Sequence, residues 1–268
     1  MSASHPETPF HDLDAYADLP RGGGLTLSPD GSRLVTAVQT LDSKRTKYVT
    51  ALWEVDPAGE RLARRLTRSA KGEAGAAFLP DGSLLFTSAR PDPETEDDEQ
   101  AEEALLWLLP AEGGEARVVA SRPGGVTDVQ VAADSGTVVV PAKTFPSSGS
   151  DDDEKRKRKE RKEKKVTAIL HESVPVRYWD EDLGPGAPRI FAGSLDEEHS
   201  GADRRIELRD LTPDAGRALE RLEYDVSRDG TAIVKTVISP QASTRRTNRW
   251  CAKSWCPKRL PSPISPTR

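Results

Sequence analysis

The sequence has few cysteines and histidines, the residues that form disulfides or bind metals. Among its 268 residues there are only two cysteines, Cys251 and Cys256, and no pair of histidines stands near them. Two cysteines cannot complete a four-ligand zinc site, so we assign no metal-binding and no cofactor-binding residue. Aromatic residues make up only 5% of the chain and hydrophobic residues 35%. The length nevertheless allows one large domain or two ordinary ones.

Long apolar runs are also missing. No stretch approaches the ~20 apolar residues that span a membrane. Residues 1–19 lack the basic start and apolar run of a signal peptide. We therefore expect no membrane contact and a cytoplasmic location.

Acidic residues are absent from one part of the chain. The whole chain carries a net charge of −5, but residues 241–268 contain seven basic residues and no acidic one. The first 240 residues therefore carry a net charge of −12. Because an acidic surface repels phosphate, we expect no nucleic-acid partner.

What the sequence does contain is a β-hairpin pattern that occurs four times. In residues 25–40, LTLSPDGSRLVTAVQT, alternating apolar residues lie on both sides of a Ser-Pro-Asp-Gly turn. Proline presets φ, aspartate caps the turn with its side chain, and glycine accepts a positive φ. The pattern returns in AAFLPDGSLLFTSAR at 76–90, VQVAADSGTVVVPAK at 129–143 and YDVSRDGTAIVKTVI at 224–238. The turn glycines, at intervals of 51, 54 and 94 residues, are Gly31, Gly82, Gly136 and Gly230.

Intervals of about 50 residues filled by short strands are typical of propeller blades with four antiparallel strands. Helical repeats would show an apolar period of 3.6 residues, whereas the period here is near two. Unrelated hairpins in a β-sandwich are the alternative, which four turns in the same phase of the apolar pattern disfavour. We therefore predict an all-β fold, a partial β-propeller of about three blades and the start of a fourth.

The predicted propeller occupies residues 21–240, and residues 1–20 form an N-terminal segment packed against its first blade. Because no Asp-Gly hairpin occurs between Gly136 and Gly230, we interpret the 94-residue interval as one elaborated blade. The strands of the first two blades are predicted near 23–28, 33–40, 48–56, 61–67, 74–79, 83–89, 104–109 and 116–120. Those of the third and fourth are predicted at 125–131, 137–143, 166–170, 206–211, 222–226 and 231–238.

Two charged segments interrupt the predicted blades. Residues 91–103, PDPETEDDEQAEE, lack the D-x-D-x-D-G order of a calcium loop, so we predict a solvated loop. Residues 147–165, SSGSDDDEKRKRKERKEKK, have no apolar residue to bury, and we interpret them as a solvent-facing insertion whose removal leaves the body intact. A nucleic-acid-binding or nuclear-import patch is the alternative, which the adjacent acids and the acidic body disfavour.

The C-terminal residues 241–268 look different from the rest. The β pattern stops at Ile238, and the tail holds both cysteines, two of the five tryptophans and four prolines. We predict that this basic tail is disordered or results from a reading-frame change near residues 239–245.

Together these features resemble a known family. The L-x-x-S-P-D-G repeats, the outer strands ALWEVDPAGERLARRLT, the opening PFHDLDAYADLPR, and above all ILHESVPVRYWDEDLGP with ELRDLTPDAG are similar to the N-terminal propeller of bacterial prolyl oligopeptidase family serine peptidases. The nearest branch is acylaminoacyl-peptidase-like or dipeptidyl-peptidase-like, and the resemblance covers roughly residues 9–240. It implies a propeller of about seven blades that caps a C-terminal α/β-hydrolase domain. It also implies that the present chain is truncated before that domain, which holds the catalytic serine, aspartate and histidine.

No catalytic residue is assigned in this chain. A nucleophile elbow needs G-x-S-x-G, and that pentapeptide is absent from the sequence. Ser194 follows Gly193 but does not complete the motif. His171 and His199 therefore have no nucleophile elbow in this sequence for which either could act as the base. Some members of the family bind the substrate amino terminus with paired glutamates. Glu197-Glu198 is a candidate for such a pair. Because the flanking residues do not match, a solvated loop is the alternative.

The resemblance implies a non-catalytic propeller that gates the access of short peptides to a hydrolase domain absent from this chain. We expect the chain alone to be inactive. We also expect its open blade faces to expose apolar residues of the kind of Leu85, Phe86 and Val139, which makes self-association possible. The alternative function is a free-standing propeller that acts as a protein-binding scaffold.

Overall fold

The structure is a computed structural model that describes residues 10–92, 103–171, 174–195, 204–220, 223–237 and 246–251. In these ranges the chain is mostly β, with two helices, α1 (Leu13–Asp18) and α2 (Asp151–Glu163). The strands of the first half are β1 (Arg21–Leu27), β2 (Leu34–Leu41), β3 (Tyr48–Val55), β4 (Arg64–Arg65), β5 (Glu73–Phe78), β6 (Leu84–Ser88), β7 (Leu105–Leu109) and β8 (Arg117–Ala120). Those of the second half are β9 (Gln130–Val131), β10 (Val138–Thr144), β11 (Arg177–Tyr178), β12 (Glu181–Asp182), β13 (Ala187–Gly193), β14 (Arg209–Asp210), β15 (Glu223–Val226), β16 (Ala232–Val237) and β17 (Arg246–Cys251).

The strands pair into antiparallel blades in chain order. Blade one has the order β1-β2-β3-β4, blade two β5-β6-β7-β8 and blade three β9-β10-β13-β14, while blade four comprises β15-β16-β17. The prediction of a partial β-propeller with three blades and the start of a fourth is confirmed. The 94-residue interval is one elaborated blade, because β13 pairs directly with β10 across the inserted residues.

The repeated turn forms for the reasons that its sequence suggests. Gly31 has a φ of 74°, and its N–H donates to Ser28 O at 2.9 Å. The Asp30 carboxylate accepts the Ser32 N–H at 3.0 Å, which caps the turn. Turns of successive blades also contact each other, since Arg33 Nη1 donates to Gly82 O at 3.0 Å. The turns therefore define one end of the stack of blades.

Apolar side chains fill the spaces between blades. Separate clusters lie between blades one and two, between blades two and three, and between blades three and four. Leu85, Phe86 and Val139 are each at most 1% exposed inside these clusters, so the expectation that such residues lie on open faces is wrong. On the open side of blade one, Leu25 and Leu27 of β1 are 72% and 57% exposed.

Segment α1 contacts blade one mainly through polar groups. Asp12 caps the helix by accepting the Asp14 N–H at 2.8 Å. The Tyr48 hydroxyl donates to Ala17 O at 2.9 Å, and Arg45 forms an ion pair with Asp18. Leu13 stays 80% exposed, so the apolar spacing of this segment does not bury an apolar side.

Two expectations for the third blade are wrong. Residues 166–170 do not form a strand, and the third strand of the blade is β13. Residues 147–165 are not a uniformly solvated run either, because they contain α2, whose Glu154 is fully buried. The sequence pattern missed the buried contact of α2 because this helix buries a charged side chain and its aliphatic stem rather than an apolar face.

The tail is partly described. The backbone of β17 pairs with β16 from Ala232↔Cys251 to Val237↔Arg246, so residues 246–251 add a third strand to blade four. Residues 238–245 and 252–268 lie outside the described residues, as do residues 93–102 of the acidic segment.

Candidate binding face

One end of the blades carries nearly all of the additions to the basic repeat. In a four-stranded antiparallel blade, the first and third turns lie at one end, and the second turn and the link to the next blade lie at the other. The Asp-Gly turns occupy the first end. The second end carries α2 and the β11–β12 hairpin, and three clefts with volumes of about 350 to 430 Å³ open there. We define this end as the insertion face.

Helix α2 is held together by its own charges. Ser150 caps the start of the helix by accepting a hydrogen bond from the Asp153 N–H. Acidic residues fill the first turn, where their negative charges interact favourably with the positive end of the helix dipole. Ion pairs four residues apart follow, for example Asp153 with Lys157 at 2.7 Å. Such pairs stabilise a helix that has no apolar face of its own.

Glu154 attaches α2 to the end of β10. Its carboxylate accepts the Phe145 N–H at 2.9 Å and the Arg158 Nε–H at 2.7 Å. Arg158 also donates to Lys143 O at 2.8 Å and stacks over the Phe145 ring at 4.6 Å from its centroid. The helix therefore has a fixed position on the insertion face.

The first cleft lies between α2 and the link from blade two to blade three, and it is lined by charged side chains. Arg122, whose side chain is only 5% exposed, forms a bidentate pair with Asp151 at 2.8 and 3.0 Å and stacks 3.6 Å above the Phe191 ring. Burial lowers the pKa of Arg122, and Asp151 acts in the opposite direction. Because Asp151 occupies the fork of this guanidinium, Arg122 positions α2 and is not an open anion site.

The second cleft lies between α2 and residues 166–170, with Phe145 and Pro185 in its wall. Leu170 is 82% exposed at its rim, and Trp179, in the turn of the β11–β12 hairpin, is 90% exposed. These two side chains give the insertion face exposed apolar area.

The third cleft lies between blades three and four beside the β11–β12 hairpin, and has a volume of about 350 Å³. Asp128 and Tyr224, both half-buried, line it together with Tyr178, Lys143 and Glu181. Burial raises the pKa of the Asp128 carboxyl above its usual range, and the Val129 N–H acts against that rise. Burial, and next the charge of Asp128, raise the pKa of the Tyr224 hydroxyl. The phenol therefore stays neutral at ordinary pH.

The residues considered from the sequence do not form a catalytic site. Glu197, Glu198 and His199 lie outside the described residues. Ser194 is exposed at the end of β13, and His171 lies 4.0 Å from Asp182. Within the described ranges, no three side chains of the metal-binding types are grouped so that they could hold a metal ion. Neither described helix is long and apolar enough to cross a membrane.

Sequence reasoning missed the third cleft altogether. Asp128 and Tyr224 are 96 positions apart and belong to two different hairpin repeats. They meet only because blade four packs against blade three. The one available signal was an acidic residue at the beginning of an apolar inner strand.

Comparison with known proteins bears on the fold. No protein-family model matches the chain, and no curated protein matches it. Among solved structures, the orthorhombic form of Pyrococcus horikoshii acylaminoacyl peptidase superposes with a TM-score of 0.53 and 11% identity, over 88% of this chain and 31% of its own. The uncomplexed form of that peptidase gives 0.51 and 10%, over 88% and 32%. TolB from Acinetobacter baumannii gives 0.46 and 11%, over 88% and 52%.

The chain is a partial β-propeller. At these identities the likeness to acylaminoacyl peptidase shows the fold alone, and the partial propeller spans about a third of the length of that peptidase. The structural neighbour and the resemblance in the sequence motifs agree on a propeller of the kind found in such peptidases.

Proposed function

We propose that this partial propeller is the non-catalytic portion of a serine peptidase of the prolyl oligopeptidase family. It gates the access of short peptides to an α/β-hydrolase domain that this chain does not contain. The observation that carries the proposal is the fold shared with acylaminoacyl peptidase, together with the motifs in residues 169–186. The sequence contains no G-x-S-x-G, which agrees with a role in which this chain supplies no nucleophile.

The size of the clefts supports selection for short peptides. Each of the three clefts has a volume of about 350 to 430 Å³, which lies in the range of small-ligand sites. A few residues of extended peptide fit such a space, whereas a folded protein does not.

Two experiments test this function. The DNA that follows this reading frame is expected to encode a hydrolase domain with G-x-S-x-G. Calorimetric titration of the full chain is expected to show binding of tetrapeptides and no binding of a folded protein such as ubiquitin. If no downstream hydrolase domain is encoded in any frame and tetrapeptides do not bind, the proposal is wrong.

The second candidate is a free-standing propeller that scaffolds protein partners. The exposed Leu170 and Trp179 on the insertion face favour it, because exposed apolar groups of this kind mark interaction surfaces. In the first proposal the same residues face the hydrolase domain. A scaffold would bind folded proteins and ignore tetrapeptides, so the titration separates the two functions.

We also propose that the chain on its own self-associates through blade one. Leu25 and Leu27 lie on the inner strand β1 and face away from blade two, so nothing in the described chain covers them. In a second copy the same strand offers both apolar side chains and an unpaired edge.

A further inference from the structure

The β11–β12 hairpin holds a tryptophan out into solvent in an unfavourable backbone conformation. Trp179 lies in the two-residue turn between the strands, where its φ is 56° and it is 90% exposed. Residues with a Cβ rarely adopt this left-handed conformation, and such turns favour glycine. Strained residues of this kind occur mostly at functional sites, where a contact makes use of them. The position of Trp179 therefore points to a contact outside the chain.

Other exposed apolar residues lie close to this hairpin. Between positions 166 and 179, five large apolar residues are exposed, namely Val166, Leu170, Val174, Val176 and Trp179. The segment that contains the first two is adjacent to the hairpin, since His171 Nε2 lies 4.0 Å from Asp182 Oδ2. Grouped exposed apolar residues mark interaction surfaces.

The second cleft lies beside the same hairpin and has a suitable size for an aromatic side chain. Its volume is about 430 Å³, within the range of sites that enclose small ligands. Phe145, Leu170 and Pro185 contribute apolar wall. The charged residues that line it are Lys157, Glu160, Arg161 and Lys164, which together carry a net charge of +2.

The tip of the hairpin carries the opposite charge. Residues 177–182, RYWDED, contain three acids and one base, so their net charge is −2. All three acids are exposed. Because Lys164 already pairs with Glu160, the attraction acts between the net charges of the two surfaces rather than through one new ion pair. Opposite net charges steer surfaces together and determine which patches meet.

We propose that the insertion face binds a second copy of this chain, with Trp179 of each copy inserted into the second cleft of the other. The tip and the cleft lie on the same face, so a two-fold axis lets each copy use both at once. The result is a closed dimer. The contact differs from the one proposed for blade one, and it does not rest on the proposed peptidase function. In the whole enzyme of that proposal, the hydrolase domain would compete for this surface.

The test is sedimentation velocity of the full chain over a series of concentrations. Every protein in the series carries Leu25→Lys, so that the contact proposed for blade one is removed. The first variant is Trp179→Gly, which takes away the indole and suits the positive φ. The control is Leu62→Ala, which shortens an exposed side chain in the β3–β4 turn of blade one, at the other end of the blades.

We expect Trp179→Gly to lower the association constant of the dimer at least about tenfold, because a buried tryptophan at the centre of an interface commonly dominates binding. Leu62→Ala should leave this constant unchanged. The melting temperature of Trp179→Gly, measured where the chain is monomeric, should be equal or higher, because glycine accepts the positive φ without strain.

Two charge reversals test whether the tip meets the cleft. Asp180→Lys makes the tip neutral, and Lys164→Glu makes the cleft neutral, so each variant alone should dimerise more weakly. A mixture of the two should form a mixed dimer more tightly than either variant pairs with itself. In that mixed dimer the acidic tip of one variant meets the basic cleft of the other.

The inference is overturned if the Leu25→Lys chain stays monomeric at every concentration, or if Trp179→Gly leaves its dimer unchanged. It is also overturned if the mixture associates no more tightly than its components. A melting temperature several degrees lower for Trp179→Gly would show a structural role of the indole and would count against the inference as well. Peptide binding by the chain is measured separately, so none of these results decides the proposed function.

Discussion

Glu154 is the best position at which to test how the charged insertion is attached to the propeller. The change is Glu154→Ala, which removes the carboxylate that joins α2 to the end of β10. The Phe145 N–H then loses its acceptor in a buried place, and the Arg158 guanidinium loses its partner. Both consequences destabilise the folded state without changing the unfolded chain greatly.

The size of the effect follows from the surroundings of the two partners. An unsatisfied buried N–H costs about 1–3 kcal/mol. Breaking a fully buried ion pair costs about 3–5 kcal/mol, but the Arg158 side chain is 27% exposed and can recover part of its hydration. We therefore expect a loss of about 3 kcal/mol in the free energy of unfolding, which for a chain of this size lowers the melting temperature by roughly 6–12 °C.

Thermal melts followed by circular dichroism measure this effect, and two further variants locate its source. Glu154→Gln keeps an oxygen for the Phe145 N–H and loses only the charge, so it should cost less than Glu154→Ala. Glu163→Ala changes an exposed acid on the same helix and should stay within about 0.5 kcal/mol of the unmodified chain.

A melting temperature of Glu154→Ala equal to that of Glu163→Ala would refute the reasoning. It would mean that α2 does not pack on β10 in solution.

The charge pattern of the sequence led us to expect that deleting residues 147–165 leaves the body intact. The contacts of Glu154 lead to the opposite expectation. Deletion removes the acceptor of the Phe145 N–H as well, and it should therefore also lower the melting temperature.

Three other predictions concern the turns, the open blade face and the chemistry. Hydrogen bonds, first from Ser28 to Asp30 and from Ser227 to Asp229, lower the pKa of both carboxyls from 3.8 to about 2. The stability contributed by the two ionised carboxylates is present above about pH 4 and lost as the pH falls through 2. The double variant with asparagine at positions 30 and 229 should therefore show a smaller drop in melting temperature across this pH range. Leu25→Lys should shift the chain toward monomer in sedimentation velocity. Leu62→Lys changes a leucine that is 96% exposed but does not lie on β1, and it should leave the monomer fraction unchanged. Equal monomer fractions for the two variants would argue against blade one as the contact. A serine-directed fluorophosphonate should not label the purified chain, because G-x-S-x-G is absent, and stoichiometric labelling would contradict this.

The repeated blades could be predicted from the sequence because their determinants are local. Each inner hairpin needs a two-residue apolar alternation and a glycine at the turn, and both are visible in a window of about 15 residues. The observed β1–β2 and β5–β6 hairpins accordingly lie within two residues of their predicted bounds. The same local pattern wrongly predicted a strand at residues 166–170. A short apolar run has the same sequence pattern whether or not a sheet edge is available for it to pair with.

The candidate site was out of reach of such reasoning. Glu154 reads as one acid among many, and only its contact with the Phe145 N–H makes it an anchor. Asp128 is a single carboxylate whose surroundings come from β5, from the inserted hairpin and from blade four.

The sequence by itself therefore determined the inner hairpins, the turn chemistry, the number of blades and the lack of a nucleophile elbow, since each depends on neighbouring residues along the chain. Tertiary structure alone decided which charges lose their water, which apolar residues stay exposed and which distant side chains share a cleft. These properties depend on how one blade packs on the next, because desolvation and Coulomb interactions are set by distance in space and not by separation along the chain.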